Sequence, residues 1–278
     1  MTRCEVCFRH CELKEGQVGF CKARIGEGDR VVSRNYGLVT SLALDPIEKK
    51  PLRNFCPGSK IISVGSFGCN LRCPFCQNYE ISWSDEVEYY LKQANYVLPE
   101  ELVKIAQRYI DKGNIGVAYT YNEPLVGYEY VRDCAKLVHE AGLKNVLVSN
   151  GSVELQILNE VIPYIDAMNI DLKGYSENYY RNLLKGDREQ VLDFIKEASR
   201  HCHIELTTLI IPDENDSYEE MRELSDWIAS IDKTIPLHIS RFFPCFKMTD
   251  RGPTSVKRVY ELADIAREKL DYVYTGNC

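Results

Sequence analysis

The sequence predicts an α/β protein whose sheet is mainly parallel and is covered by helices. From residue 60 onward, six short apolar runs are each followed by a stretch with helical periodicity. This alternation favours a parallel sheet, because parallel strands need a crossover connection and a helix usually provides it. A curved partial barrel and a doubly wound sheet both satisfy the pattern. In both, the ligand site lies at the carboxyl ends of the strands.

The individual elements follow from local periodicity. Strands are expected where apolar residues run together, at 61–67, 115–120, 145–149, 167–171, 203–211, 237–240 and, last, 272–274. Helices are expected where apolar residues recur at helical spacing, at 102–110, 128–138, 153–161, 188–201, 218–231 and 256–270. Gly142 follows the second of these helices in the position of a C-cap.

The first 60 residues lack this alternation, so we divide the chain into a cysteine-rich N-terminal metal-binding segment (1–60) and a core (61–278). Within the segment, loose alternation over 30–44 with a turn at 35–37 predicts a short hairpin. Residues 45–58 contain three prolines and are expected to form an ordered loop.

The composition excludes several classes of protein. Of the 278 residues, 45% are hydrophobic and 27% charged, so intrinsic disorder is excluded. No apolar run approaches the ~18 residues of a membrane span. The residues after Met1 lack the apolar core of a secretory signal, and we therefore expect a cytoplasmic protein. The net charge is +4 over residues 1–60 and −11 over the rest, so broad nucleic-acid binding by the core is not expected.

Cysteine is the most informative residue type. A cytosolic chain with twelve cysteines is not expected to build a disulfide framework, because the cytosol keeps thiols reduced. Seven of the cysteines fall into two groups, one near the N-terminus and one after the first core strand: Cys4, Cys7, Cys11 and Cys21, and Cys69, Cys73 and Cys76.

The second group has the spacing C-x3-C-x2-C on one short loop. Three thiolates so arranged suit a 4Fe-4S cluster in which three irons bind the protein and the fourth keeps an open position. An open iron can bind an amino acid through its amine and its carboxylate. Zinc is the alternative, but a closed tetrahedral zinc site needs a fourth ligand, and no further Cys or His lies nearby in the sequence.

With Phe75 before its last cysteine, this loop resembles the signature of the radical S-adenosylmethionine (SAM) enzymes. The resemblance implies a partial (β/α)6 barrel, similar to an incomplete TIM barrel. It also implies that the open iron binds SAM and that one electron cleaves SAM to methionine and a 5′-deoxyadenosyl radical. In such enzymes the protein positions and shields the radical while the cofactor carries the chemistry.

Further motifs at strand ends are similar to those of the same enzymes. Residues 121–124 are Tyr-Asn-Glu-Pro where the family usually has Gly-Gly-Glu-Pro, which implies that Asn122 and Glu123 contact SAM and that Glu123 accepts its ammonium group. Ser149 and Asn150 stand in a Ser-Asn-Gly similar to the Thr-Asn-Gly of glycyl-radical activating enzymes. They are expected to hydrogen-bond the ribose or carboxylate of SAM, or to cap the next helix.

Asp171 and Lys173 resemble the Asp-x-Lys of the same activating enzymes, suited to a sugar hydroxyl and to the methionine carboxylate respectively. Structural pairing of these two side chains is the alternative. His238 closes the sixth predicted strand and is expected to contact the cofactor. Arg241 lies beside it and is a candidate catalytic residue.

The chain as a whole resembles the radical SAM enzyme of the AmmeMemoRadiSam system, through the stretches 15–21, 44–52, 57–59, 76–78 and 247–251. This resemblance implies AMMECR-type and MEMO-type partner proteins and an electron donor such as flavodoxin or ferredoxin. It leaves the substrate, a protein or a small molecule, unidentified. Activation of a glycyl-radical enzyme is one alternative function, and a non-catalytic metal module that assembles partner proteins is another.

The first cysteine group offers four thiolates that can close one tetrahedral metal site. A structural zinc would stabilise a segment too short to build its own core. An auxiliary iron–sulfur cluster is the competing hypothesis, and reduced free thiols are the third. His10, next to Cys11, is a possible replacement ligand.

Overall fold

The computed structural model describes all 278 residues. It contains fourteen strands, which are β1 Thr2–Arg3, β2 Glu12–Leu13, β3 Arg24–Glu27, β4 Arg30–Ser33, β5 Leu38–Val39, β6 Ser41–Pro46, β7 Lys60–Gly65, β8 Asn95–Tyr96, β9 Asn114–Tyr119, β10 Lys144–Ser149, β11 Ala167–Asp171, β12 His203–Ile210, β13 Leu237–Arg241 and β14 Val273–Gly276. The α-helices are α1 Tyr79–Ser82, α2 Val87–Gln93, α3 Pro99–Arg108, α4 Tyr128–Glu140, α5 Leu155–Val161, α6 Arg188–Ala198, α7 Tyr218–Asp232 and α8 Val256–Arg267. A π-helical turn covers Tyr179–Leu184.

Eight strands form the main sheet, in the order β14-β13-β12-β11-β10-β9-β7-β6. All neighbours from β7 to β14 are parallel, and only β6 at the edge is antiparallel. The two edge strands, β6 and β14, do not pair with each other, so the sheet stays open. The predicted parallel α/β architecture is confirmed. None of the helices combines the length and the apolar character that a membrane crossing requires.

The strands bury both faces, as expected for a sheet with helices outside and packed residues inside. In α4, the face formed by Val131, Cys134, Ala135 and Val138 is buried against the outside of the sheet. A left-handed glycine, Gly142, ends this helix region at a φ of 72°, in agreement with the predicted C-cap.

The lower interior of the barrel, toward the amino ends of the strands, is filled by the residues that follow β6. Ile47 and Leu52 are fully buried there in one cluster with inward-facing strand residues: Ile61, Ala118, Val146 and Ala167. Polar contacts hold the same segment, because Asn169 Nδ2 donates to the Pro51 carbonyl over 2.9 Å. We call residues 47–54 the plug.

The N-terminal segment differs from the prediction in its hairpin. The hairpin is formed by β3 and β4 with its turn at Gly28-Asp29, so the predicted hairpin over 30–44 is wrong. β6 instead joins the main sheet beside β7. The side chain of Asn35, which we placed in the turn, is buried and donates from Nδ2 to the Phe67 carbonyl over 2.9 Å, so a tertiary contact decides its conformation.

Candidate active site

A cavity of about 310 Å³ opens at the carboxyl ends of the parallel strands. Its wall takes residues from the end of every parallel strand, among them Cys69, Thr120, Ser149, Asp171, Thr207, Ser240 and Asn277. Seven strand ends can surround one cavity only if the sheet curves around it. The site therefore lies where this class of fold places its ligands.

Three thiols belong to this wall: Cys69, Cys73 and Cys76. Their loop starts at Gly68, whose φ is +97° and where an added Cβ would lie 2.7 Å from the carbonyl oxygen of Cys21. Only glycine satisfies both conditions. The next residue donates its backbone N–H to the same Cys21 carbonyl over 3.1 Å, so the N-terminal segment holds the start of the loop.

Burial raises the pKa of the Cys69 thiol well above its ordinary value and raises the pKa of Cys73 to about 12. These groups therefore become thiolates only when a bound cation compensates their charge. Three thiolates on one loop suit a 4Fe-4S cluster, in which each thiolate binds a separate iron and the fourth iron stays open.

Glu123 is a buried carboxylate in the same wall. Its Oε1 accepts hydrogen bonds from Leu125 N (3.0 Å) and Ser149 Oγ (2.9 Å), and its Oε2 accepts one from Asn150 N (2.8 Å). Burial raises the pKa of Glu123 to about 7 despite these three donors. The carboxylate has no cationic partner in the protein, so it is suited to receive a positively charged ligand group.

Asn150 connects this carboxylate with the cysteine loop. Its Nδ2 lies 3.6 Å from Cys69 Sγ and donates to Asn70 Oδ1 over 3.0 Å. Its Oδ1 accepts the Ser152 N–H over 2.8 Å, which forms a local turn after β10. Asn150 therefore both shapes the backbone and faces the sulfur.

Lys173 and Asp171 form an ion pair with 2.7 Å between Nζ and Oδ2. Burial opposes the charge of Lys173, but the neighbouring Asp171 carboxylate outweighs it and holds the lysine pKa above its usual value. The backbone N–H of Lys173 donates to the hydroxyl of Tyr180 over 3.0 Å, which fixes the residue after β11. The wall thus carries a permanent cation as well as Glu123, and the pairing weighed as an alternative is present.

Tyr121 and Asn122 show how the chain accommodates its departure from Gly-Gly. Tyr121 adopts a left-handed φ of +74°, a conformation that favours glycine, and its ring packs against Gly65. Its hydroxyl donates to Asp45 Oδ2 over 2.8 Å. Asn122 accepts the Ser66 N–H over 3.0 Å, so it ties the end of β7 to the wall. Phe75 is buried and also lines the cavity.

Two predicted residues lie elsewhere. His238 points inward, but one layer below Ser240, and its Nε2 hydrogen-bonds the buried carboxylate of Glu205 over 2.6 Å. Arg241 alternates to the outside of β13, where its Nε donates to the Thr254 carbonyl over 2.6 Å. Neither lines the cavity, so this structure does not support the predicted cofactor contact of His238 or the predicted catalytic role of Arg241.

Among the wall residues that sequence reasoning missed are several on inward-facing strand positions, together with one at the chain end: Val148, Thr207, Leu209, Ser240 and Asn277. The usable signal was strand alternation, because residues two apart share a face. Asp171 ends β11, and the residue paired with it on β12 is Thr207. Taking every second residue of each strand from such positions would have identified the strand residues of the wall.

The N-terminal cysteines meet in a second place. Cys4, Cys7, Cys11 and Cys21 line a small cavity of about 10 Å³. Pairing of β1 with β2 and a hydrogen bond from Cys4 N to the Cys11 carbonyl (2.9 Å) bring them together. Their sulfurs face this cavity without converging on one point. His10 lies outside it, between the carboxylates of Glu5 (3.1 Å) and Glu154 (3.4 Å).

An open parallel barrel with three thiols after its first strand, facing a cavity of cofactor size, defines a class of iron–sulfur proteins that bind a small-molecule cofactor. Residues 63–225 match the radical SAM superfamily, and the chain belongs to this family. Membership implies a 4Fe-4S cluster and SAM as its cofactors. The cysteine loop and the wall described above fit both groups.

Comparisons with known proteins agree with this family. The chain is 40% identical to an uncharacterized protein of Methanocaldococcus jannaschii, over 99% of this chain and 81% of that protein. It is 24% identical to pyruvate formate-lyase 1-activating enzyme of Escherichia coli, over 66% of this chain and 75% of the enzyme. Streptococcus suis SuiB bound to S-adenosylmethionine shares the fold, with a TM-score of 0.57 and 15% identity over 76% of this chain and 48% of SuiB.

Proposed function

We propose that the protein is an enzyme that cleaves SAM reductively and uses the resulting radical to abstract a hydrogen atom from its substrate. The observation that carries this proposal is the shared wall: three thiols, a buried carboxylate without a cationic partner and a half-buried ammonium group line one cavity. The cluster and SAM, when bound, supply the electron and the 5′-deoxyadenosyl radical. The chain's own residues bind and orient these groups.

Cys69, Cys73 and Cys76 are the residues that would hold the cluster. Glu123 would accept the ammonium group of the cofactor, because it lines the cavity and its carboxylate, although hydrogen-bonded, has no cationic partner. Lys173 would bind the carboxylate group.

The sugar contacts fall to neighbouring polar groups. Asp171 offers a carboxylate oxygen to a hydroxyl, and Ser149 and Asn150 offer short polar side chains from the end of β10. Asn122 and Phe75 shape the adjoining wall. Since Glu123 and Lys173 carry opposite charges, the amino-acid part of the cofactor is oriented in one direction.

The substrate class is the open part of this proposal. Similarity to a pyruvate formate-lyase activating enzyme favours a glycyl-radical enzyme as one candidate substrate. Resemblance over residues 15–21, 44–52 and 247–251 favours membership of the AmmeMemoRadiSam system, with AMMECR-type and MEMO-type proteins as partners. A flavodoxin or ferredoxin would deliver the electron.

We further propose that the four N-terminal cysteines bind a metal, either zinc or an auxiliary iron–sulfur cluster. The cytoplasm is the proposed location, because all twelve cysteines are unpaired and thiols stay reduced there.

Anaerobic reconstitution tests the enzymatic proposal. Protein loaded with iron and sulfide, reduced with dithionite and mixed with SAM should release 5′-deoxyadenosine. A Cys134→Ala chain, altered at a buried thiol outside the cavity, is the matched control for cysteine loss. About four irons per chain without 5′-deoxyadenosine would instead favour a non-catalytic module.

A further inference from the structure

The cavity between the four N-terminal cysteines has the size of a single ion. Its volume of about 10 Å³ is close to the smallest space that can hold one water molecule. A four-iron cluster is much larger. Cys4, Cys7 and Cys21 are buried, and all four thiols line this space without a disulfide between them. Four cysteines around one small space match the ligand set of structural zinc.

A buried guanidinium in the same cavity lacks a partner. Arg24 is 4% exposed, and its outer nitrogens bind Glu129 Oε1 (2.7 Å) and the Val31 carbonyl (3.0 Å). Its Nε, however, has no hydrogen-bond partner, although it is buried and Arg24 lines the cysteine cavity. An unpaired buried N–H is costly unless an acceptor arrives, and a metal-bound thiolate is such an acceptor.

Two more cations stand between the two cysteine groups. The guanidinium carbons of Arg9 and Arg72 lie 3.4 and 3.5 Å from the centroid of the Phe20 ring, which places them on opposite faces. Neither contacts a carboxylate; Arg9 Nε donates to the Asn70 carbonyl over 2.9 Å, and Arg72 donates to the carbonyls of Cys69, Leu71 and Phe20. Both guanidinium groups therefore place positive charge beside the cysteines without a carboxylate to neutralise it, which suits bound thiolates.

The charges balance for a tetrathiolate centre. Arg9 and Arg24 line the cavity, and Arg72 lies next to it on the Phe20 ring; because Glu129 pairs with Arg24, these three guanidinium groups leave two positive charges near the cysteines. Zn²⁺ with four thiolates carries two negative charges. We propose that Cys4, Cys7, Cys11 and Cys21 bind one Zn²⁺, that Arg9, Arg24 and Arg72 compensate its charge, and that this centre positions the loop of Cys69.

Direct contacts link the centre to that loop. The Cys21 carbonyl accepts the Cys69 N–H over 3.1 Å, and a side chain at Gly68 would collide with the same carbonyl. Arg72, from the loop, donates to the Phe20 carbonyl next to Cys21. A metal bound by the Cys21 thiolate would restrain Cys21, and with it the carbonyl that holds the start of the Cys69 loop.

The first experiment isolates the centre from the main cluster and does not depend on the proposed enzymatic function. A chain carrying Cys69→Ala, Cys73→Ala and Cys76→Ala is purified anaerobically and offered zinc, cobalt or iron with sulfide. We expect about one zinc per chain, and with cobalt the intense sulfur-to-cobalt charge-transfer absorption of a tetrathiolate site. Wild-type protein without reconstituted iron gives the same readouts if the triple variant does not fold.

Four irons bound by the triple variant, with iron–sulfur absorption, would overturn the mononuclear assignment. No metal in either protein would overturn the site itself. Arg9→Gln should weaken zinc binding on the order of tenfold against a competing chelator, since charge-compensating neighbours of metal sites have effects of this size. An unchanged affinity would contradict the charge argument.

The second experiment tests the coupling. Cys11→Ser changes the least buried of the four ligands, and Cys56→Ser, at an exposed thiol outside both cavities, is its matched control. We expect Cys11→Ser to lose zinc and to lower the iron content of the Cys69 cluster after reconstitution, with near-native circular dichroism. Loss of zinc with unchanged iron content and an unchanged cluster spectrum would refute the coupling.

Discussion

Glu123→Gln is the substitution that tests the cofactor site most directly. The glutamine oxygen can keep the two donors now bound to Oε1, Leu125 N and Ser149 Oγ. The amide nitrogen then faces Asn150 N, a donor against a donor, where a 2.8 Å hydrogen bond now exists. More important, the variant has no charge to offer the ammonium group of SAM. A hydrogen bond to a charged group contributes roughly 1.5–3 kcal/mol, so affinity for SAM should fall roughly 10- to 150-fold.

The same carboxylate predicts a pH dependence. Burial raises the pKa of Glu123 to about 7, and only the ionised form attracts an ammonium group. Below pH 7 most of the Glu123 carboxyl is protonated and neutral, so the affinity for SAM should rise from pH 5 to 7, by at most the factor lost in Glu123→Gln, and level off above. The glutamine variant has no proton to lose at this position, so the part of the pH dependence that arises from Glu123 should be absent, and the ratio of the two affinities should fall toward one below pH 7.

Anaerobic equilibrium binding to reconstituted protein measures both effects. 5′-Methylthioadenosine is the matched ligand, because it keeps the nucleoside and lacks the amino acid group. Glu123→Gln should weaken SAM binding and leave 5′-methylthioadenosine binding within about twofold, since uncharged parts of the ligand do not meet the carboxylate. Equal losses for both ligands would mean that Glu123 only shapes the wall. Unchanged SAM affinity would remove it from the site.

Three further predictions concern the cluster, the sheet and the plug. Cys73→Ala should abolish iron–sulfur absorption and 5′-deoxyadenosine release while melting near the wild-type temperature; retained cleavage would contradict the ligand assignment. Gly116→Ala should lower the free energy of unfolding by about 3 kcal/mol in urea titrations, because the new Cβ would lie 1.8 Å from the Lys144 carbonyl. Gly252→Ala, with open space around it, is the control and should change stability by less than about 0.5 kcal/mol. Burial opposes the charge of Glu205, but hydrogen bonds from the imidazoles of His203 and His238 outweigh it, together with those from two backbone N–H groups of the plug, at residues 53 and 54. These bonds lower the pKa of Glu205 to about 2. The free energy of unfolding of the wild type should therefore fall by about 3 kcal/mol as the pH drops from 5 to 2. Glu205→Gln should lack that loss, and an identical pH profile would refute the assignment.

The parallel sheet could be predicted because its strands are buried on both faces and therefore stand out as apolar runs. β6 could not, since it is an edge strand with mixed exposure and Leu42 is 44% exposed. The hairpin was misplaced for a related reason. Asn35-Tyr36-Gly37 is a good local turn, but the buried amide of Asn35 serves a contact with Phe67 that is 32 residues away in sequence. Local patterns do not record such contacts.

At the site, the rule that ligands bind at strand ends predicted that Glu123, Asn150 and Lys173 would lie together, and all three line the cavity; their contacts with a cofactor stay predictions. His238 and Arg241 also lie near a strand end but do not line the cavity. The rule takes no account of how far along the strand a residue lies or of which face of the sheet its side chain is on. His238 is two residues too early in its strand, and Arg241 points outward by simple alternation. The left-handed backbone of Tyr121 was also beyond sequence reasoning, because a tyrosine gives no local sign of positive φ.

The plug has a kinetic consequence. Because residues 47–54 pack between the amino ends of the strands, the cavity is closed at that end. Ligands therefore enter and leave on the side that carries the cysteine loop. A protein substrate docked on that side would close the cavity over any cofactor that had already bound. For a protein substrate, binding would therefore be ordered: SAM would bind before the protein, and methionine and 5′-deoxyadenosine would leave only after the protein had dissociated. A large excess of such a protein substrate should consequently lower the rate of multiple turnovers rather than raise it.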